Sequence, residues 1–157
     1  MPDKKKLRVL FVCNRGGHLS EMMALRSLFP LYSSMLLTDN DKTAQKLEIG
    51  IPVKYISEFR RETKNPFVFL YKFFQCIGIC FSFHPHVIIT TGANLAVFMC
   101  FAGKIFGSKI IFIETGAKIY SKTLTGKIIG PICNKIIVQW PEMTKIYKHA
   151  EYWGQTL

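Results

Sequence analysis

Leu7-Arg8-Val9-Leu10-Phe11-Val12-Cys13 runs directly into Asn14-Arg15-Gly16-Gly17-His18, and this stretch decides the fold. The first seven residues are apolar but for Arg8, and in part β-branched. They predict a buried strand. The glycine pair makes a turn. Leu19, Met22, Met23 and Leu25 then recur at helical spacing towards Phe29, and Pro30 closes that run.

The same alternation continues down the chain. Residues 34–38 read as a second strand, 43–49 as a short helix ended by Gly50, and 53–56 as a third strand. A charged linker over 58–65 carries Arg60, Arg61 and Lys64, and a long apolar helix follows over 66–83 until His84-Pro85. Residues 87–91, 109–113 and 135–139 read as strands. Between and after them, 94–106, 121–129 and 141–149 read as helices, the last with a proline at its first position. The strands are continuous apolar runs, which predicts a parallel sheet covered on both faces. The expectation is a single α/β domain over 1–157, a Rossmann-like doubly wound sheet of about six strands. Its ligands would bind at the strands' C-terminal ends, near the switch point.

A length of 157 residues suits one domain and can bury a core without metal or disulfide staples. With 49% hydrophobic and 20% charged residues, intrinsic disorder is excluded. Lys and Arg number 21 against 10 Asp and Glu, a net charge of +11. Such a balance selects an anionic partner: membrane, phosphorylated ligand, nucleic acid or acidic protein. No nucleic-acid module accompanies the charge. Cys13, Cys76, Cys80, Cys100 and Cys133 sit in apolar runs without a CxxC, as reduced buried thiols do. His18, His84, His86 and His149 show no metal-ligand spacing, so no metal is expected. The basic start resembles a signal peptide, but its apolar run stops at Asn14-Arg15 with no cleavage site, so secretion is not expected.

Three turns fall on one sheet edge. In Asn14-Arg15-Gly16-Gly17-His18, glycine amides can approach an anion and Arg15 can add a phosphate contact. A first-turn position predicts a lowered pKa for His18, hence a neutral imidazole able to accept a proton. Thr90-Thr91-Gly92-Ala93-Asn94 brings hydroxyls and a glycine to the same edge, and Glu114-Thr115-Gly116 brings a carboxylate. Taken singly, each also fits an ordinary turn: a surface histidine, Asn94 as a helix cap, a solvated rim acid. Ser121, Lys122, Thr123, Thr125 and Lys127 would face an anionic ligand, a partner, or only solvent.

Residues 67–83 hold six phenylalanines and fall just short of a ~20-residue membrane span. Phe67, Leu70, Phe74, Ile77 and Phe81 suit a helix lying in a membrane interface, with Arg60, Arg61 and Lys64 beside anionic lipid. A core helix and a protein–protein patch are the other readings.

In order, Gly16-Gly17-His18-Leu19, Thr90-Thr91-Gly92-Ala93, Ile113-Glu114-Thr115, Thr125-Gly126-Lys127 and Val138-Gln139-Trp140-Pro141-Glu142 resemble bacterial capsular and exopolysaccharide glycosyltransferase subunits of the PssD type. Those are relatives of the membrane-anchoring subunit of the dolichol-pathway UDP-N-acetylglucosamine transferase. The layout is also similar to the N-terminal domain of the peptidoglycan lipid-intermediate N-acetylglucosaminyltransferase. The resemblance implies the acceptor-side half of a split GT-B glycosyltransferase. A separate catalytic subunit would bind the UDP-sugar donor, so this chain itself would hold no cofactor. It would work at the cytoplasmic face of the cell membrane on a lipid-diphosphate-linked acceptor.

Three functions compete. In the first, the chain is a subunit of a UDP-sugar-dependent transferase in capsular or exopolysaccharide synthesis. There His18 is the first candidate base and Glu114 the second, and Asn14, Arg15, Gly16, Gly17, Thr91, Gly92, Asn94 and Thr115 contact the acceptor. In the second, it is a non-catalytic membrane anchor and activator of a partner that carries all the chemistry. In the third, it binds an anionic surface or nucleic acid.

Overall fold

A computed structural model describes residues 6–40, 47–57 and 65–156. Seven strands form one wholly parallel sheet: β1 (Arg8–Val12), β2 (Ser33–Asn40), β3 (Val53–Ser57), β4 (Val87–Thr90), β5 (Lys109–Ile113), β6 (Lys135–Val138) and β7 (Ala150–Tyr152). Their order is β3-β2-β1-β4-β5-β6-β7. Beside β1 the chain winds outward in opposite directions, so the switch point lies between β1 and β4.

The helices are α1 (Gly17–Met23), α2 (Pro66–Phe83), α3 (Asn94–Ile105) and α4 (Leu124–Ile129). The run expected to stay helical to Phe29 breaks at Ala24-Leu25 and resumes as a 3-10 helix, Arg26–Leu31, that contains Pro30. Proline has no N–H to give an α-helix interior. The expected closing helix is a 3-10 helix, Pro141–Lys145, followed by the unforeseen β7. α4 starts three residues later than expected because Thr123 caps it, its Oγ1 accepting from Gly126 N at 3.0 Å. Residues 41–46 and 58–64, where most of the second helix and the basic linker were expected, lie outside the described residues; 47–50 are not helical.

One sheet face is fully covered. Leu10, Val12, Ile88, Ile110, Phe112, Ile136 and Val138 pack beneath α2, α3, α4, Met143 and Tyr147. On the second face, where the apolar runs predict equal cover, the described residues give only partial cover. Met22 and Phe29 pack over Val9, Phe11 and Leu36 on the second face. Further along it, Val87, Ile89, Ile111, Ile113 and Ile137 line an open apolar groove of about 690 Å³, walled by Leu25, Leu28 and the tail Trp153 to Thr156. The reason is topological. Right-handed crossovers send α2, α3 and α4 over the same face, because all three connections step in the same direction along the sheet.

α2 starts on Asn65, whose Oδ1 accepts from Phe67 N at 3.0 Å, with Pro66 at the first position. It ends at His84 in a left-handed conformation. Its inner face buries Lys72, Cys76, Ile79 and Cys80. The Lys72 ammonium reaches the Ser57 carbonyl oxygen, and Ser57 Oγ at 3.0 Å. Phe67, Leu70, Tyr71, Phe74 and Phe81 are exposed on the outer face, while Ile77 is half-buried. The helix therefore belongs to the domain's core on one side and presents an apolar stripe on the other.

Candidate functional site

The three turns singled out in the sequence do converge, at the C-terminal ends of β1, β4 and β5. Gly16 holds the first turn open with φ 81° and ψ −144°, a conformation natural only to glycine. The second turn is strained: Gly92 has φ 104°, and Ala93, a non-glycine, has φ 74° and ψ 179°. Thr91 Oγ1 donates to the His18 carbonyl at 2.8 Å, so the second turn holds the first. The His18 ring packs over Gly92, whose Cβ would stand 3.6 Å from it.

His18 does not behave as its helix position predicts. Its Nδ1 lies 3.7 Å from Glu21 Oε2, and Glu21 holds the imidazole above its ordinary 6.5 against the opposing effect of burial. Local charge outweighs the helix. Glu21 is buried at 4% exposure. Burial pushes its carboxyl up, but hydrogen bonds outweigh that and keep it below the ordinary 4.5. Its Oε1 accepts from Thr115 Oγ1 at 2.8 Å, Gly116 N at 2.9 Å and Gln139 Nε2 at 3.3 Å. Glu21 Oε2 and His18 Nδ1 have no hydrogen-bond partner among the described residues. Together with Gly17, Thr115, Gly116 and Trp140 they line a cleft of about 420 Å³.

Glu114 stands outside this cleft. It is 1% exposed, and its Oε1 accepts from Thr115 N at 3.1 Å. Its Oε2 accepts from Thr123 N at 3.2 Å, from Thr123 Oγ1 at 3.1 Å and from the Tyr147 hydroxyl. Gly126 has no side chain because a Cβ there would collide with Tyr147 Oη. Glu114, Tyr147 and Gly126 thus form one packed polar joint that fixes α4 to β5, and the carboxylate has no face left for a substrate.

Asn14, Arg15 and Asn94 also lie off the cleft lining. Asn14 Nδ2 donates to Asp39 Oδ2 at 3.1 Å, and its Oδ1 accepts from Leu95 N at 3.3 Å, capping α3 from a distant segment. That task was expected of Asn94, which is exposed as the first residue of α3. Arg15 N donates to Asp39 Oδ1 at 2.7 Å and its Nε to the Asp39 carbonyl at 3.1 Å, with the guanidinium over Tyr55.

Two residues of the Val138-Gln139-Trp140 motif complete the cleft. Gln139 Nε2 donates to the Glu114 carbonyl at 3.0 Å as well as to Glu21. Its Oε1 accepts from Thr156 N at 2.9 Å and Thr156 Oγ1 at 2.7 Å. Trp140 Nε1 donates to the Gly116 carbonyl at 2.7 Å. A continuous chain of contacts therefore runs from His18 through Glu21 and Gln139 to the C-terminal tail, which also walls the open apolar groove.

Residues 60–156 match the family described as oligosaccharide biosynthesis protein Alg14 like. The chain belongs to the Alg14-like family. It is 29% identical, over 98% of its length and 84% of the relative's, to the UDP-N-acetylglucosamine transferase subunit alg14 of Schizosaccharomyces pombe. Against the corresponding Rattus norvegicus subunit the identity is 22%, over 97% of this chain and 84% of that one. Both relatives are UDP-N-acetylglucosamine transferase subunits by name, and the capsular and exopolysaccharide expectation draws no support from them. Among solved structures, the fold is similar to Acinetobacter baumannii MurG, with a TM-score of 0.73, 13% identity and 96% of this chain covered. It is also similar to a UDP-N-acetylglucosamine 2-epimerase, with a TM-score of 0.75, 12% identity and 96% covered. The Alg14-like chain spans 46% and 49% of those two, so it has the fold of roughly half of each.

Proposed function

We propose that this Alg14-like protein is the membrane-anchoring and activating subunit of a UDP-N-acetylglucosamine transferase that extends a lipid-diphosphate-linked saccharide. The open apolar face over β4, β5 and β6 carries the reading. A parallel sheet needs cover on both faces, and the described residues cover one in full and the other in part. The missing cover is the partner subunit, which brings the donor-binding half. The relatives' names support the transferase, and the half-length match to larger folds supports a second half.

The apolar stripe of α2 attaches the chain to the membrane, on the cytoplasmic face in this reading, where a lipid-linked acceptor is within reach. The acceptor diphosphate lies against the Gly16-Gly17 loop, with His18 beside it. Because the cleft connects through Gln139 to the tail that walls the groove, docking of the partner and order in the cleft support each other.

One observation favours a chemical role in addition. Glu21 Oε2 faces His18 Nδ1 at 3.7 Å, which leaves Nε2 as the nitrogen turned away from the carboxylate. A carboxylate behind a histidine fixes the ring and stabilises the imidazolium formed when Nε2 takes a proton from an acceptor hydroxyl. In this second reading His18 serves the assembled complex as base and Glu21 as its positioning residue.

The test is transfer of label from UDP-N-acetylglucosamine to membrane lipid acceptor by this chain alone, the partner alone and both together. Transfer only by the pair is the expected result. Full transfer by the partner alone, or by this chain alone, rules the reading out.

A further inference from the structure

The basic stretch Lys122 to Lys127 plays no part in the cleft. It forms one side of a separate cavity of about 540 Å³ between α4 and the beginning of β6. Four lysines, Lys122, Lys127, Lys135 and Lys148, line that cavity together with His149. Lys135 is paired with Glu151 at 2.8 Å, and Lys122 stands over the Tyr147 ring at 4.7 Å. No carboxylate among the described residues is within ion-pair distance of Lys122, Lys127 or Lys148. Concentrating cations in a concave site without counter-charges is unfavourable unless an anion fills it.

What adjoins this cavity identifies the anion. α3 lies between α2 and α4 on the covered sheet face, so the outer faces of the three helices adjoin. α2 exposes Phe67 and Phe74, α3 exposes Ile105 at 68%, and α4 exposes Leu124 at 73%. Lys127 lies between Leu124 and Ile128 on the same short helix, which turns an apolar edge outward and a cationic edge into the cavity. Cations at the border of an apolar face match the border between acyl chains and headgroups in a bilayer. We propose that the cavity between α4 and β6 binds the phosphate of an anionic membrane lipid while α2, α3 and α4 rest on the bilayer. A soluble phosphate ester offers the same group, but only a bilayer lipid uses the adjoining apolar face as well. This site gives a leaflet preference that the apolar stripe alone cannot give, and it does not depend on which sugar is transferred.

Vesicle sedimentation of the full chain tests it, with phosphatidylcholine alone or mixed with phosphatidylglycerol. Each lysine near an anionic surface strengthens binding roughly fivefold. Removal of three in Lys122→Gln/Lys127→Gln/Lys148→Gln therefore weakens binding to anionic vesicles on the order of a hundredfold and leaves binding to neutral vesicles unchanged. The control Lys6→Gln/Arg26→Gln/Lys54→Gln removes the same charge away from the cavity and costs a few-fold at most. Equal losses in both triple variants, or no loss in the first, overturn the site. Anionic vesicles should also shield Lys122 and Lys148 from amine acylation, where inorganic phosphate does not; equal shielding by inorganic phosphate overturns the lipid assignment. Phe67→Ser/Phe74→Ser serves as a separate reference: it lowers binding to both kinds of vesicle and reports on attachment by α2 instead.

Discussion

His18 Nδ1 and Glu21 Oε2 face each other at 3.7 Å, each buried and each without a hydrogen-bond partner among the described residues. One turn of α1 separates them, and Thr91 and Thr115 from two other strand ends hold them in place. Among the described residues that line the cleft, this pair holds the ionisable groups, and neighbouring segments position it from both sides.

Removing the carboxylate tests the pair by titration. Glu21 raises His18, so Glu21→Gln should lower the His18 midpoint, read from its imidazole NMR signals across pH. The stability sign follows. His18 is raised, so its contribution is complete below its ordinary 6.5 and is lost as pH climbs through the folded value. Glu21 is lowered, so its contribution is complete above the ordinary 4.5 and is lost on acidification. The variant should thus lose most stability relative to the parent between about pH 5 and pH 6.5. An unchanged midpoint would mean that the two groups do not interact.

The Glu114 joint predicts stability effects. Tyr147→Phe removes one donor from a buried carboxylate and should cost about 1–3 kcal/mol in urea unfolding. Gly126→Ala places a methyl against Tyr147 Oη and should cost about 1–3 kcal/mol by overpacking. If Glu114 is structural, Glu114→Gln should lower stability and transfer together. Loss of transfer in a variant of parental stability would return a chemical role to Glu114.

The open sheet face predicts a docking defect. Ile111 and Ile137 line the groove and are half-buried. A buried lysine at either position would lack a counter-charge in the complex. Ile111→Lys should reduce capture of the partner subunit at least tenfold with unchanged circular dichroism. Undiminished capture would place the partner elsewhere.

Much of this architecture was legible in the sequence. The bounds of α2, β4 and β5 follow from clear punctuation: Asn65-Pro66 before α2, His84-Pro85 after it, and Gly107 between α3 and β5. Glu21 was not legible. In sequence it is one polar residue on a helix, and the groups that mark it, Thr115, Gly116 and Gln139, are 94 to 118 positions away. β7 was hidden because Met143, Ile146 and Tyr147 recur at helical spacing, whereas Ala150-Glu151-Tyr152 is too short to show a period of its own. The open face was hidden for a different reason. Ile111 and Ile137 read as core whether the atoms that cover them belong to this chain or to another.

The most direct measurement follows the partner subunit between soluble and membrane fractions while transfer from labelled UDP-N-acetylglucosamine is counted in each. With this chain present, the partner and the transfer should both move to the membrane fraction. Without it, the partner should stay soluble and inactive. A soluble partner that transfers the sugar at full rate in the absence of this chain would contradict the account.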